Sequence, residues 1–294
     1  MKKLFIPIAC TLILASCGGK TTQQQEGAQP VNTIERTGEG IPLSKDMFTY
    51  DANGNVIEQI RFDWNNRAQE FNESIKYVNT YDVRGNRITQ TLYSKVDSTT
   101  WVNSSKYEAE YNSADKVTKE RWYAWDNDAQ QWIDNARYEY QYDGSNMRTS
   151  EVNQYFDRTS QQWINAEKTD YQNSADKKES IVTRYEWKDG QWIVRNNDIF
   201  SYDKNGRQIG AIYQAQDSTN AWKPFCKKEF IYDEFGRETD ERTYQLDANG
   251  KWNNMMKVCY KFDEQGNKAS ATTFTRQGEG WRSAKSYVYE HIYE

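Results

Sequence analysis

The sequence predicts an all-β protein: a tandem array of about eight two-stranded repeats of ~30 residues, forming a long twisted antiparallel meander that can coil into a superhelix. Three markers recur in phase and carry this expectation. Tyr-Asp-x-x-Gly or a variant starts at positions 50, 81, 111, 142, 171, 202, 232 and 262, spaced 29 to 31 residues. Trp stands at 101, 132, 163, 192, 222, 252 and 281, with the same spacing. A further aromatic follows the start by twelve residues at Phe62, Tyr93, Tyr123, Tyr244 and Phe274.

Taken from the N-terminus, residues 1–16 read as a lipoprotein signal peptide. Lys2 and Lys3 precede an apolar run from Leu4 to Leu14, too short for the roughly 20 residues of a membrane-spanning helix. Leu14-Ala15-Ser16-Cys17 then resembles the lipobox of bacterial lipoproteins, in which the Cys is acylated. Cys17 is therefore the expected lipidation site, and several acyl chains together make a stable anchor. Residues 17–45 read as the acylated Cys and a flexible tether, because GGKTTQQQEGAQP is polar and lacks aromatics. The expected address is the bacterial envelope at the outer membrane, with the periplasmic and surface sides both open.

Residues 46–294 read as the repeat domain. In Lys106-Tyr107-Glu108-Ala109-Glu110-Tyr111 polarity alternates with period two, as in a strand with one aromatic and one charged face. The turn motif follows at Asp51 and Gly54, Asp82 and Gly85, Asp203 and Gly206, Asp233 and Gly236, and Asp263 and Gly266. Asp caps such a turn through its side chain and Gly takes the positive φ. A second stretch such as Arg87–Tyr93 completes the hairpin before polar segments lead to the next Trp.

At Tyr-Asp-x-x-Gly-Asn/Arg, as in Tyr50–Asn55, Tyr81–Asn86, Tyr202–Arg207, Tyr232–Arg237 and Phe262–Asn267, the array resembles the YD repeats of the RHS-type family. That resemblance implies a β-sheet wound into a spiral. This chain has a longer unit and an added Trp arm. As a whole it is similar to uncharacterised repeat lipoproteins of Bacteroidetes.

Composition narrows the function. A net charge of −5 is a poor match to nucleic acid. Aromatics make up 15% while mean hydropathy is −1.05, which suits a ring-rich sheet better than an aliphatic core. The single His, His291, sits in a repeat position, so no Ser-His-Asp or Cys-His set is expected. No catalytic residue, metal site or cofactor is expected; acids recur in phase with turns, and Asp126-Asn127-Asp128 is only a fragment of a calcium loop. Cys226 and Cys259 fall at offsets of opposite parity from their Trp and are expected on opposite faces as free thiols.

The remaining feature is the Trp ladder, Trp101, Trp132, Trp163, Trp192, Trp222, Trp252 and Trp281, which by counting shares strand parity with the Tyr stripe. Together with Trp122, Trp125 and Trp187, expected to be more exposed, these are the candidate ligand-contacting residues. The reading is a non-catalytic binding or adhesion module for a polysaccharide, a cell-wall polymer or an envelope protein. The alternative is a scaffold or protein–protein interaction array without a small ligand. An extended row of rings suits an extended ligand through multivalency.

Overall fold

The computed structural model describes residues 29–293. The described chain forms eighteen strands: β1 (Asn32–Thr37), β2 (Pro42–Tyr50), β3 (Val56–Asn65), β4 (Glu70–Tyr81), β5 (Arg87–Lys95), β6 (Trp101–Tyr111), β7 (Val117–Asp126), β8 (Gln131–Tyr142) and β9 (Arg148–Asp157). They continue as β10 (Gln162–Asn173), β11 (Glu179–Lys188), β12 (Gln191–Tyr202), β13 (Gln208–Gln216), β14 (Trp222–Tyr232), β15 (Glu238–Leu246), β16 (Trp252–Phe262), β17 (Lys268–Gln277) and β18 (Gly280–Ile292). Each pairs antiparallel with its neighbours in sequence. β1 also pairs with β18, from Asn32 opposite Ile292 to Thr37 opposite Tyr287.

That last pairing overturns the expected open or superhelical meander: the all-β sheet closes into a barrel. The physical reason lies in the ladders, where bulges recur. One residue is extruded from each even-numbered strand: Leu43, Ser74, Ser104, Asn135, Ala166, Arg195, Phe225, Met255 and Ala284. A second set follows the turns at Ile57, Ile88, Thr118, Thr149, Ile209, Thr239 and Ala269. A bulge bends its strand and raises the local twist, and bends repeated around a sheet bring its ends together.

The tether reading also needs correction over its described part. β1 and the start of β2 lie within residues 17–45, so the barrel begins at Asn32 rather than at residue 46. The signal peptide and Cys17 lie outside the described residues.

The turns follow the sequence expectation. Asp51 Oδ1 accepts from the backbone N–H of Asn53 and Asn55, both at 2.9 Å, and Gly54 takes φ 79°. Asp82, Asp203 and Asp233 make the same pair of bonds with their following residues. Asp263 bonds Asn267 N, and Gly266 has φ 86°. In the degenerate copies Asp115, Asn146 and Lys177 adopt the positive φ themselves.

Candidate functional site

The extruded residue of each even strand decides which side chains share a face. In β6, Trp101 and Asn103 lie opposite Lys95 and Tyr93; beyond Ser104, Ser105 lies opposite Leu92. Alternation therefore slips by one. Tyr107 and Tyr111 end on the face opposite Trp101, although ten residues is an even count. The ladder does not share parity with the Tyr stripe, because counting assumes an unbroken strand.

The tyrosine face is the more buried. All seven buried residues among those described lie there: Ser44, Asn79, Tyr107, Ser180, Val182, Asp198 and Ala211. It is polar as well as aromatic. The Tyr81, Tyr111, Tyr142 and Tyr232 hydroxyls each donate to a backbone carbonyl of the preceding strand pair, at 2.7–3.0 Å. Tyr107 and Tyr140 donate to the two oxygens of Glu120 at 2.8 and 2.7 Å. Burial, then the Glu120 charge, pushes both phenols well above their usual range. Arg148 pairs with Glu151 at 3.0 Å, and Arg184 with Asp198.

The tryptophan face carries a repeated sandwich. A Lys lies in register with an aromatic on the next strand, and the following Trp stands beside them. Lys76 Nζ is 4.9 Å from the Tyr93 ring centre and 5.2 Å from that of Trp101. Lys106 serves Tyr123 and Trp132 at 4.4 and 5.7 Å, and Lys227 serves Tyr244 and Trp252 at 4.4 and 5.8 Å. Lys257 serves Phe274 and Trp281 at 5.1 and 5.0 Å, and Lys45 serves Phe62 and Phe71 at 4.4 and 5.9 Å. In one copy Arg137 lies 4.6 Å over Trp163. Each cation is attracted by the negative ring face while its aliphatic stem covers the ring. The sequence spacing of Lys45, Lys76, Lys106, Lys227 and Lys257 contained this signal, which the Trp and Tyr markers overshadowed.

All ten candidate Trp are half-buried. Trp125 and Trp187 pair edge-to-face with Trp132 and Trp192 at 5.0 and 4.9 Å. Trp122 lies on the tyrosine face, 4.8 Å from the Tyr107 ring. None of these three is the more exposed ring the sequence had pointed to. Two ladder members, Trp192 and Trp222, have no cation over them among the described residues.

Between the strands that carry these two, β12 and β14, the hydrogen-bonded ladder is shorter on one side of β13. Other consecutive pairs from β2 to β18 share seven to ten residue pairs, but β12 and β13 share four, from Ile199 opposite Ile212 to Tyr202 opposite Gln208. Below that point Asp198, fully buried, accepts from Gln214 N at 3.1 Å and from the Arg184 guanidinium. Its carboxylate thus takes the amide hydrogen that a strand partner would otherwise hold.

Among the described residues no three His, Cys, Asp or Glu side chains are grouped to hold a metal. Asp126 caps its own turn, accepting from Asp128 N and Ala129 N. A cavity of about 440 Å³ on β5–β8 is lined by Glu108, Glu110, Lys119, Arg121, Arg137 and Glu139 among others. Burial alone would raise Glu108 there, but Lys106 and Tyr123 outweigh it and hold the carboxyl below its usual range. Asp46 and Glu238, both raised by burial, lie on β2 and β15 rather than in one site. His291 bridges strands through Thr33 Oγ1 and the Lys268 carbonyl, each at 2.9 Å. Cys226 and Cys259 are free thiols, Cys226 opposite Tyr213 on the tyrosine face and Cys259 opposite Asp240 on the other.

Residues 75–150 match DUF3836, a family of unknown function. This stretch runs from β4 into β9. Among solved structures, a protein of unknown function from Bacteroides fragilis is similar over 41% of this chain and 88% of its own, at 18% identity and a TM-score of 0.36. A DUF3836 protein from Parabacteroides distasonis is 18% identical over 30% of this chain and 85% of its own, with a TM-score of 0.24. A porin-like protein from Bacteroides uniformis is 8% identical over 90% of this chain and 98% of its own, with a TM-score of 0.42. No curated protein matches. The chain is thus similar to uncharacterised proteins of Bacteroides and their relatives.

Proposed function

We propose that this chain is a non-catalytic envelope lipoprotein whose barrel stands in water and binds an extended polymer, a polysaccharide or cell-wall strand. The observation that carries the binding reading is the row of half-buried Trp rings on successive hairpins, all near one rim. The YD-like turn motif and the lipobox at Cys17 support the lipoprotein part of the reading. Charge supports the aqueous part, whichever face points outward. The tryptophan face carries Lys106 and Glu108 at mid-strand, and the tyrosine face carries Arg148, Glu151, Arg184 and Asp198. An outward band of lipid-facing residues would have to bury such groups, at roughly 2–4 kcal/mol for each Lys or Arg near the midplane. Membrane attachment then falls to Cys17 rather than to the strands.

A scaffold role is the second reading, and the cations lying over most ladder rings favour it, because a ring face already covered is closed to a sugar. Two measurements test the proposal. Cys17→Ser is expected to move the protein from the membrane to the soluble fraction; a barrel that stays in the membrane defeats the aqueous reading. Tryptophan emission titrated with polysaccharides and peptidoglycan fragments is expected to shift saturably with one polymer class. No shift with any of them leaves the scaffold.

A further inference from the structure

At the seam where the barrel closes, the strands meet over part of its height. β1 has 6 residues, where β4, β8, β10 and β12 have 12. It covers β18 from Ile292 back to Tyr287 and then turns away at Gly38, whose N–H donates to the Ser286 carbonyl at 2.8 Å. A Cβ at Gly38 would stand 2.8 Å from the Ser286 Cβ, so this crossing requires glycine. Residues 38–41 lead into β2, which has Pro42 alone before its extruded Leu43, where β4 has Glu70 to Glu73 before Ser74. β18, by contrast, runs on in its ladder with β17 as far as Gly280 opposite Gln277. From Gly280 to Lys285 its other edge has no strand beside it among the described residues.

Exposure and charge mark the same stretch. Arg282, Ser283, Ala284 and Lys285 are all exposed, and no other strand has four exposed residues in a row. The turn does not fill the notch: a Cβ on Gly40 would meet nothing within 4 Å, and Ile41 is 48% exposed. Residues 272–285 carry Arg276, Arg282 and Lys285 against one acid, Glu279, in a chain whose net charge is −5. Arg276 lies 5.5 Å over Trp281 and Lys285 4.7 Å over Tyr287, on rings rather than carboxylates, and Arg282 has no partner among the described residues. Register puts Arg282 opposite Thr275 and Lys285 opposite Thr273, both on the tyrosine face, with Trp281 opposite Arg276 on the other.

We propose that the bare edge of β18 from Gly280 to Lys285 is a docking site for an extended, acidic segment of another protein, which joins the sheet as a strand. An unpaired edge offers a row of main-chain N–H and C=O groups, and a segment laid along it makes the ladder that β1 does not reach to make. At about 3.3 Å per residue the edge is roughly 20 Å long, enough for a short segment. Alternate side chains of the docked strand fall on opposite faces. Those on the tyrosine face meet Arg282 and Lys285, which selects Asp or Glu at every second position. Those on the other face lie beside Trp281, which suits apolar residues. The same cations disfavour a second copy of this edge, because pairing two copies brings like charges together. The inference stands apart from the polymer reading, since it uses the main chain and the cations of β18.

The test uses the full-length protein and two synthetic peptides, one alternating Glu with Val and one alternating Lys with Val, followed by calorimetry and amide hydrogen exchange. The Glu peptide is expected to bind and to protect amides within residues 281–285, and the Lys peptide is expected to do neither. The double variant Arg282→Glu, Lys285→Glu changes two exposed side chains, so the circular dichroism and melting temperature of the barrel should persist. It is expected to weaken the Glu peptide at least about tenfold and to admit the Lys peptide in its place, as reversal of close charge pairs does. Equal binding of both peptides by the unaltered protein overturns the acidic partner. Binding of the Glu peptide without protection of residues 281–285 overturns the site, as does the absence of any binding. If sedimentation shows the protein alone as a dimer with those amides already protected, the occupant is a second copy and the proposal fails. Polysaccharide titrations of the double variant should match those of the unaltered protein, so either reading can fail without the other.

Discussion

The hairpins β4–β7 and the sector β11–β14 are built from the same repeat, yet they differ where it counts. In the first, Lys76 and Lys106 lock aromatic rings to their neighbours, and every ladder runs its full course. In the second, amides replace the cation and the ring, and a ladder stops half-way. The contrast teaches that the wall draws its stability from the same positions in successive repeats. A ring covered by a cation strengthens the sheet, and a ring left bare lacks that support.

The contrast breaks most easily at Asp198. Asp198→Ala removes the carboxylate that accepts from Gln214 N and leaves that amide without its acceptor, which costs about 1–3 kcal/mol. Urea denaturation should show that loss, and equal stability would mean that the β12–β13 ladder completes itself without the carboxylate.

Acid provides the next effect. The Asn55 side-chain and backbone N–H groups hold the Asp51 carboxyl below its usual range, and Asn86 does the same for Asp82. Burial would raise Asp203 and Asp233, but the Arg207 and Arg237 backbone and side chains outweigh it. Carboxyls lowered by folding stabilise above their unfolded value of about 3.9, and that contribution is lost as pH falls through their folded values. Melting temperature should therefore fall steeply below about pH 4. The β6–β7 turn provides an internal control, because Asn112 accepts from Ala114 and Lys116 in the same geometry without a titrating group. Asp82→Asn should accordingly reduce the acid sensitivity.

A smaller gain is expected at Lys177, in the turn before β11. Its φ of 58° is left-handed, and Lys177→Gly should stabilise by about 1 kcal/mol in thermal melts. Smallest is the cap itself: Lys106→Met keeps the stem but loses the charge over Tyr123 and Trp132, at a cost of ~0.5–1 kcal/mol. If Lys106→Met also creates polymer binding at Trp132, the cap alone decides access.

Much of this was legible. The period, the strand alternation and the turn at Asp-x-x-Gly are local, and Asp51 and Gly54 behave as their residue types require. The faces were not legible, because the extruded positions Leu43, Ser74, Asn135 and Arg195 share no residue type, and one unseen insertion reverses parity for the rest of a strand. Closure was hidden for another reason. β1 lacks the Tyr-Asp marker and follows a polar stretch, and its partner β18 lies at the far end of the chain. At Asn197 and Gln214 the repeat was present but its departure from pattern had no meaning until the cations of the other copies were seen on their rings.

The pairing of β1 with β18 also sets an order of events. The Val31 N–H donates across to the Ile292 carbonyl at 2.8 Å, so the first strand must wait for the last. Loop-closure entropy makes such a contact slow to form. Until it forms, two bare edges remain, each a template for a neighbouring molecule. As the chain is made, then, the period of greatest danger lies between emergence of the second strand and arrival of the eighteenth. A chaperone that shields one edge for that interval would do more for yield than any gain in final stability.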